Sequence, residues 1–141
     1  MGELRFSTDR FHVDIDVVHD FLSRHAYWCP GIPRAVVERA VDNSICFSAW
    51  RDGAQVGFAR VVTDKATFAY LADVFVLPAH RGQGIATAIM DAVMAHPELQ
   101  GLRRFLLATS DAHGLYARYG FTAIARAERF MERYQPDAYL G

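Results

Sequence analysis

This 141-residue sequence has few cysteines, almost no net charge and no long apolar run. The two cysteines, Cys29 and Cys46, lie far apart, which argues against a disulfide framework and predicts a reduced, cytoplasmic protein. No apolar run approaches the roughly 20 residues that span a bilayer, and residues 1–4 do not begin a signal peptide. The formal net charge of −1 lacks the basic excess of a nucleic-acid-binding protein. We therefore expect neither a membrane nor a nucleic acid as partner.

Metal-ligand spacings and hydrolase motifs are absent as well. The six histidines show no H-x-x-x-H pattern and the cysteines are not paired, so the sequence predicts no metal site. Ser110, Asp111 and His113 are polar neighbours, but the Gly-x-Ser-x-Gly turn of a hydrolase is missing. We interpret Ser110 or Asp111 as the cap of a short helix instead.

What the sequence does contain is the material of one folded domain over residues 1–141. Hydrophobic residues make up 52% of the chain and aromatic residues 13%, enough for a sizeable core. The N-terminal half predicts an edge strand at 4–7, a helix capped by Asp14 or Asp16, and a second helix beginning near Pro33. Three antiparallel strands are then predicted at 45–50, 55–63 and 67–76.

The C-terminal half alternates helix and strand. A helix follows Gly84 and ends near Pro97, and a short helix at 112–119 is closed by Gly120. Strands are predicted at 104–108, 121–125 and 130–133. The pattern predicts an α+β (α/β layered) fold with a mixed, mostly antiparallel sheet flanked by helices.

The most informative stretch joins the third of these antiparallel strands to the long helix. An apolar run ends at Pro78, passes through Gly82 and Gly84, and opens onto an amphipathic helix. Such a turn brings unpaired backbone N–H groups and the positive end of the helix dipole to one point, which binds anions. Arg81 adds a positive charge beside it. The third glycine of a dinucleotide fingerprint and the Gly-Lys-Ser/Thr of a P-loop are both missing.

Two blocks of sequence resemble the GNAT N-acetyltransferases, and the resemblance covers residues 44–121 well. The first resembles the family's acetyl-CoA loop, Arg/Gln-x-x-Gly-x-Gly/Ala, which here is Arg81-x-x-Gly84-x-Ala86. The second resembles Ala-x-x-Leu-Tyr-x-x-x-Gly-Phe, which begins here at Ala112 and ends at Phe121. Both blocks stand in the family's order and separation.

The resemblance implies an acetyl-CoA-dependent N-acetyltransferase with a GNAT fold, whose sheet splays open at the CoA site. The family transfers the acetyl group by direct attack of a primary amine, so neither a metal nor a nucleophilic Cys or Ser is expected. Backbone N–H groups of the loop would hold the pyrophosphate. The preceding strand would pair with the pantetheine amides, and an N–H near its end would polarise the thioester oxygen. The cofactor-binding residues implied are Phe75, Val76, Arg81, Gly82, Gln83, Gly84, Ile85 and Ala86.

Tyr116 is the catalytic residue that the second block implies. The family's tyrosine stands five residues before the phenylalanine of Gly-Phe, which is Phe121 here. In the family this hydroxyl lies near the CoA sulfur, where a departing thiolate needs a proton. The resemblance therefore selects Tyr116 rather than the neighbouring Tyr119.

The general base is less well defined, and Asp73 is the candidate. Family members often use a glutamate on the strand before the loop, but the corresponding position is Ala72 and the next on that face is Tyr70. Strand alternation would point Asp73 to the opposite face, unless a bulge turns it back. A structural role for this carboxylate stays open. Thr109 stands where the family has an asparagine.

Tyr27 and Trp28 lie between the first two helices and have two interpretations. They either pack that corner of the core or form the wall of an acceptor pocket, where aromatic faces suit an amine. The acceptor itself, a small-molecule or peptide amine, is not specified by the sequence, and a homodimer is left open. The alternative function is a non-catalytic acyl-CoA-binding or regulatory protein, and Ala72 favours it.

Overall fold

Five strands form one sheet in the order β1-β2-β3-β4-β5 in the computed structural model, which describes residues 2–140. Neighbours from β1 to β4 are antiparallel, whereas β5 is parallel to β4. A parallel neighbour requires a crossover, which a helix between β4 and β5 provides. The strands are β1 (Arg5–Ser7), β2 (Ile45–Arg51), β3 (Ala54–Thr63), β4 (Phe68–Val76) and β5 (Arg104–Leu107).

In the described part of the chain, four α-helices cover the two faces of the sheet. They are α1 (Ile15–Arg24), α2 (Arg34–Asp42), α3 (Ile85–Ala95) and α4 (His113–Ala117). Helix α1 begins at the N-cap Asp14, whose side chain accepts from the Val17 N–H, as one of the two predicted caps. No helix within residues 2–140 is long and apolar enough to cross a bilayer.

Two apolar clusters hold the layers together, one on each face. Phe47 and α3 belong to one cluster, whereas Cys46 and Phe58 pack with α1 and α2 in the other. Adjacent residues Cys46 and Phe47 face opposite ways because side chains alternate along a strand. Phe47 and Phe58 are at most 1% exposed, and each such burial contributes about 1.5–3 kcal/mol.

Strand β4 separates from β5 halfway along its length. The two strands pair only from Phe68 to Leu71, although β4 continues to Val76. On its other side, the register of β3 and β4 shifts between Phe58 and Arg60, and Asp73 adopts a left-handed φ of 55°. The predicted opening in the sheet is thus present, and β4 has a bulge at the residue where its second half begins.

The last two predicted strands are wrong. Residues 121–125 and 130–133 pair with no other strand among residues 2–140. Phe121 does pack edge-on against Phe105, with ring centroids 5.4 Å apart. A strand needs a hydrogen-bonded neighbour as well as suitable side chains, and alternation in sequence does not supply the neighbour.

The predicted cap of the short helix is also wrong. Ala112 precedes α4 without a side-chain cap, and the Thr109 hydroxyl accepts from the N–H groups of Asp111 and Ala112. Ser110 is engaged elsewhere, because its hydroxyl donates to the hydroxyl of Tyr27 at 2.7 Å. This contact joins residues far apart in sequence, which a local capping rule does not consider.

Candidate functional site

The opening between β4 and β5 forms a cleft of about 1150 Å³. Its walls come from α1, α2, the second half of β4, the start of α3 and the segment leading into α4. Gln83 is the one predicted site residue that does not line this cleft. Those that do are Tyr27, Trp28, Asp73, Phe75, Val76, Arg81, Gly82, Gly84, Ile85, Ala86 and Tyr116.

One end of the cleft is made by the turn that precedes α3. Gly82 and Gly84 take left-handed φ angles of 75° and 77°, and a side chain on either would meet open space. The N–H groups of Gly82, Gln83 and Gly84 have no hydrogen-bond acceptor within residues 2–140. These groups lie beside the start of α3, where the helix dipole is positive. The turn can therefore bind an anion such as a phosphate.

Two side-chain contacts hold this turn in place. Arg81 Nε donates to the Val76 carbonyl oxygen at 3.0 Å, which ties the turn to the end of β4. The side-chain oxygen of Gln83 accepts from Arg51, at the end of β2. Gln83 thus anchors the turn from behind, which explains why it does not line the cleft.

Phe75 and Val76 line the cleft near the end of β4. The Phe75 ring is 5% exposed and stacks on Phe21 with ring centroids 4.2 Å apart, so its side chain belongs to the core. Past Leu71 the edge of β4 that faces the cleft has no neighbouring strand among residues 2–140. This edge can accept an extended ligand as an added strand.

Tyr116 lies on the opposite wall, in α4, and is 8% exposed. Burial raises the pKa of its hydroxyl, and the charges of Asp111 and Tyr27 raise it further. No residue between 2 and 140 forms a hydrogen bond with this hydroxyl. It is therefore protonated at neutral pH and free to donate into the cleft.

Tyr119, one turn further along, has a structural position. Its hydroxyl contacts the Asp91 carboxylate at 2.7 Å and the Thr87 carbonyl oxygen at 3.0 Å. Both partners belong to α3, so Tyr119 fastens α4 to that helix. Tyr119 does not line the cleft.

Asp73 is turned toward the cleft by the bulge and is paired on both of its oxygens. One oxygen accepts from Arg60 Nε at 2.8 Å and the other from Trp28 Nε1 at 3.0 Å. The side chains of Asp73 and Arg60 are only 11% and 19% exposed. Arg60 also donates to the Ser44 hydroxyl at 3.2 Å. The Asp73 carboxylate therefore joins β4, β3 and the segment after α1.

Tyr27 and Trp28 lie on a segment that crosses the cleft between α1 and α2. Their rings contact edge to face, with centroids 5.0 Å apart. Trp28 is fixed to Asp73, and the Tyr27 hydroxyl accepts from Ser110. Tyr27 is 63% exposed and Trp28 38%, and both line the cleft. That they bind an acceptor stays a prediction.

Arg60, Ser110 and Tyr139 are among the cleft residues that the sequence predictions did not assign to the site, and Ser110 was interpreted there as a helix cap. Arg60 interrupts the apolar run 56–62 of β3, which was a usable indication of a buried ion pair. Ser110 and Tyr139 line the cleft through contacts distant in sequence, and no local pattern indicates them.

The two thiols are buried and unreactive. Burial raises the pKa of both Cys29 and Cys46 to about 12, so neither is a thiolate at neutral pH. Within residues 2–140, no three His, Cys, Asp or Glu side chains are grouped so as to hold a metal ion.

Comparison with known proteins identifies a family that this chain resembles. The family described as "Acetyltransferase (GNAT) domain" matches residues 42–123, more than half of the chain. A curated relative from Gibberella zeae, named Putative acetyltransferase FG08082, is 31% identical over 139 residues, covering 83% of this chain and 77% of the relative.

Solved structures agree with the sequence relatives. The crystal structure of a GNAT-family protein from Xanthomonas campestris pv. campestris is 59% identical, covers 100% of this chain and 99% of its own, and superposes with a TM-score of 0.97. A structure from Clostridium acetobutylicum, solved with acetyl-CoA, is 18% identical and covers 95% of this chain and 96% of its own, with a TM-score of 0.68, which shows a shared fold. The chain belongs to the GNAT acetyltransferase family.

Proposed function

We propose that this chain is an acetyl-CoA-dependent N-acetyltransferase that moves an acetyl group to a primary amine. One observation carries the proposal: the unpaired amides of the turn before α3 and the protonated Tyr116 belong to the same cleft. The neighbour from Clostridium acetobutylicum was solved with acetyl-CoA, which supports the same cosubstrate here.

The turn before α3 holds the phosphates of the cosubstrate. The N–H groups of Gly82, Gln83 and Gly84 donate to the pyrophosphate, with the start of α3 and the Arg81 charge behind them. The left-handed glycines leave open space for close approach. The free edge of β4 at Phe75 and Val76 pairs with the pantetheine amides, and an N–H near Val76 polarises the thioester oxygen.

The cosubstrate supplies an acetyl group as a thioester, and the amine attacks its carbonyl carbon directly. A carbon–nitrogen bond forms and the carbon–sulfur bond breaks. The Tyr116 hydroxyl donates its proton to the departing sulfur, as its raised pKa and cleft position allow. The nitrogen releases its extra proton to water or to a base. No covalent enzyme intermediate is needed, in keeping with the unreactive thiols.

That Asp73 is this base stays a prediction. Each of its two oxygens already accepts a hydrogen bond, one from Arg60 and the other from Trp28. These contacts favour a positioning role, in which Asp73 fixes Trp28 at the entrance and water receives the proton.

The aromatic pair at the entrance binds the acceptor. Tyr27 and Trp28 line the cleft, and their faces suit the cation or the apolar stem of an amine. The proposed acceptor is either a small-molecule amine or a peptide amine. The acceptor surface is therefore made by side chains that are held at two points, through Asp73 and Ser110.

The test combines binding and turnover. We expect acetyl-CoA to raise the melting temperature, and a panel of small and peptide amines to include acceptors that release free thiol. A thermal shift without thiol release for any amine would favour the alternative, a non-catalytic acyl-CoA-binding protein. Absence of a thermal shift would contradict both functions.

A further inference from the structure

Two carboxylates line the cleft in the described part of the chain, and only one of them is neutralised. Asp73 forms an ion pair with Arg60 and accepts a further hydrogen bond from Trp28. Asp111 lies in the segment between β5 and α4, and its carboxylate takes part in no hydrogen bond or ion pair within residues 2–140. Of the two, Asp111 is therefore the carboxylate that is available to bind a cation.

The surroundings of Asp111 connect it to both walls of the cleft. Its N–H donates to the Thr109 hydroxyl at 3.4 Å, and the preceding residue, Ser110, donates to the Tyr27 hydroxyl at 2.7 Å. The negative charge of Asp111 raises the pKa of the Tyr116 hydroxyl, so this carboxylate lies within electrostatic reach of that hydroxyl. Tyr27, Asp111 and Tyr116 therefore share one part of the cleft.

The arginines that line the cleft do not neutralise Asp111. Arg60 and Arg81 both donate to acceptors on β4. Arg118 acts on the pKa of Tyr119, whose hydroxyl contacts α3 instead of the cleft. Within residues 2–140 none of the three forms an ion pair with Asp111. The charge of Asp111 is thus left for a ligand.

The chemistry of acetyl transfer indicates which cation this carboxylate suits. The reacting nitrogen must be neutral when it attacks, and a carboxylate beside it would favour its charged form. Asp111 is therefore better suited to a group of the acceptor that stays positively charged throughout the reaction. The ring of Tyr27, which is 63% exposed, offers the same group an aromatic face.

We propose that Asp111 binds a second cationic group of the acceptor, so that the preferred substrate is an amine that carries two positive charges. The inference rests on the proposed function, because it assigns a residue to the acceptor of that reaction. One nitrogen attacks the thioester while the other stays protonated beside Asp111. Asp111 is thus a specificity residue, and the proton transfer from Tyr116 does not require it.

Two matched acceptors test the proposal. 1,4-Diaminobutane and butylamine have the same carbon chain and differ in the second ammonium group. We expect wild type to use the diamine with a kcat/KM per amino group that is about fivefold higher, as an exposed ion pair allows. Asp111→Asn should abolish this preference, whereas Asp111→Glu, which keeps the charge, should retain most of it. Calorimetric titration of each amine into protein saturated with CoA gives the same comparison without turnover.

Asp91→Asn is the matched control. It also removes one negative charge, but Asp91 lies on α3 and does not line the cleft, so the preference should survive. Equal use of the two amines by wild type would overturn the proposal, and so would a preference that survives Asp111→Asn. If no amine releases thiol, the acetyl-transfer function fails and the titration decides. Tighter binding of the diamine that depends on Asp111 would then still support this site, and equal binding of the two amines would overturn it.

Discussion

The two ends of the cleft are built from different parts of the chain. The end beside α3 is made by six consecutive residues, 81–86, and acts mainly through backbone N–H groups. The end beside Trp28 is made by side chains from several elements, fixed by Asp73, Arg60 and Ser110. A backbone site depends on local conformation, whereas a side-chain site depends on tertiary contacts.

Because of this difference, we expect the two ends to recognise different kinds of ligand. A turn that binds through N–H groups depends little on its side chains and suits one kind of ligand, an anion such as a phosphate. A wall of aromatic side chains changes which acceptor it favours when one of those side chains is substituted. We therefore expect changes near Gly84 to affect acetyl-CoA and changes near Trp28 to affect the acceptor. Tyr116 is proposed to act on the departing sulfur, so its hydroxyl should affect neither affinity strongly.

The largest effect is expected for Tyr116→Phe, which removes one hydroxyl and retains the ring. A positioned acid contributes about 10²–10⁴ in rate, so kcat should fall by that factor while acetyl-CoA affinity changes little. In wild type, kcat should fall as pH rises through the raised pKa of Tyr116, above the ordinary value of 10.0. The variant should lack that alkaline decline. Steady-state kinetics with a slow acceptor measures both.

Tyr119→Phe is the control for this variant. It also removes a tyrosine hydroxyl from the same region, but one that contacts Asp91 and Thr87 rather than the cleft. We expect a lower melting temperature and nearly normal kcat. Equal kcat for Tyr116→Phe and wild type, with chemistry rate-limiting, would contradict the assignment of Tyr116.

Gly84→Val should weaken ligand binding at the end of the cleft that acts through backbone N–H groups. Valine is strained at the φ of 77° and its side chain would enter the space that the pyrophosphate needs. We expect the acetyl-CoA dissociation constant, measured by calorimetric titration, to rise at least about tenfold, equivalent to about 1.4 kcal/mol.

Gly101→Val is the control that distinguishes backbone strain from loss of contact with acetyl-CoA. Gly101 has a similar φ of 69° with open space around it, but it does not line the cleft. Both variants should lose stability by a similar amount, and only Gly84→Val should lose acetyl-CoA affinity. Unchanged affinity in a folded Gly84→Val protein would remove this turn from the binding site.

Asp73→Asn tests whether the ion pair between Asp73 and Arg60 stabilises the end of the cleft beside Trp28. The amide leaves Arg60 without its ionic partner, and hydrogen bonds to charged groups contribute about 1.5–3 kcal/mol. The Asp73 and Arg60 side chains are 11% and 19% exposed, so we expect a loss in the lower part of that range by urea unfolding. The acidic limb of the pH–rate profile should persist. A flattened acidic limb at normal stability would instead assign Asp73 as the base.

The contrast between the two ends also decides what could be predicted from the sequence. The turn and the helix after Gly84 followed from neighbouring residues, because local spacing determines them, whereas the opening beside β4 was implied by the resemblance to the GNAT family. The Asp73–Arg60–Trp28 contacts join residues up to 45 positions apart, and no periodicity indicates such partners. The wrong strands at 121–125 and 130–133 have the same cause, since alternation does not say which edge a segment pairs with.

Trp28→Phe should have the smallest effect of these variants on kinetics. It is also the most direct test of whether the two ends of the cleft bind different ligands. The ring remains against Tyr27, but the N–H that donates to Asp73 at 3.0 Å is lost. A typical hydrogen bond contributes about 0.5–1.5 kcal/mol, so KM for the acceptor should rise about two- to tenfold. The acetyl-CoA dissociation constant should not change, because the turn before α3 lies at the other end. Tyr27→Phe, which loses its contact with Ser110, is the matched variant and should behave alike. If either variant weakens acetyl-CoA binding as much as acceptor binding, the two ends are not separate sites.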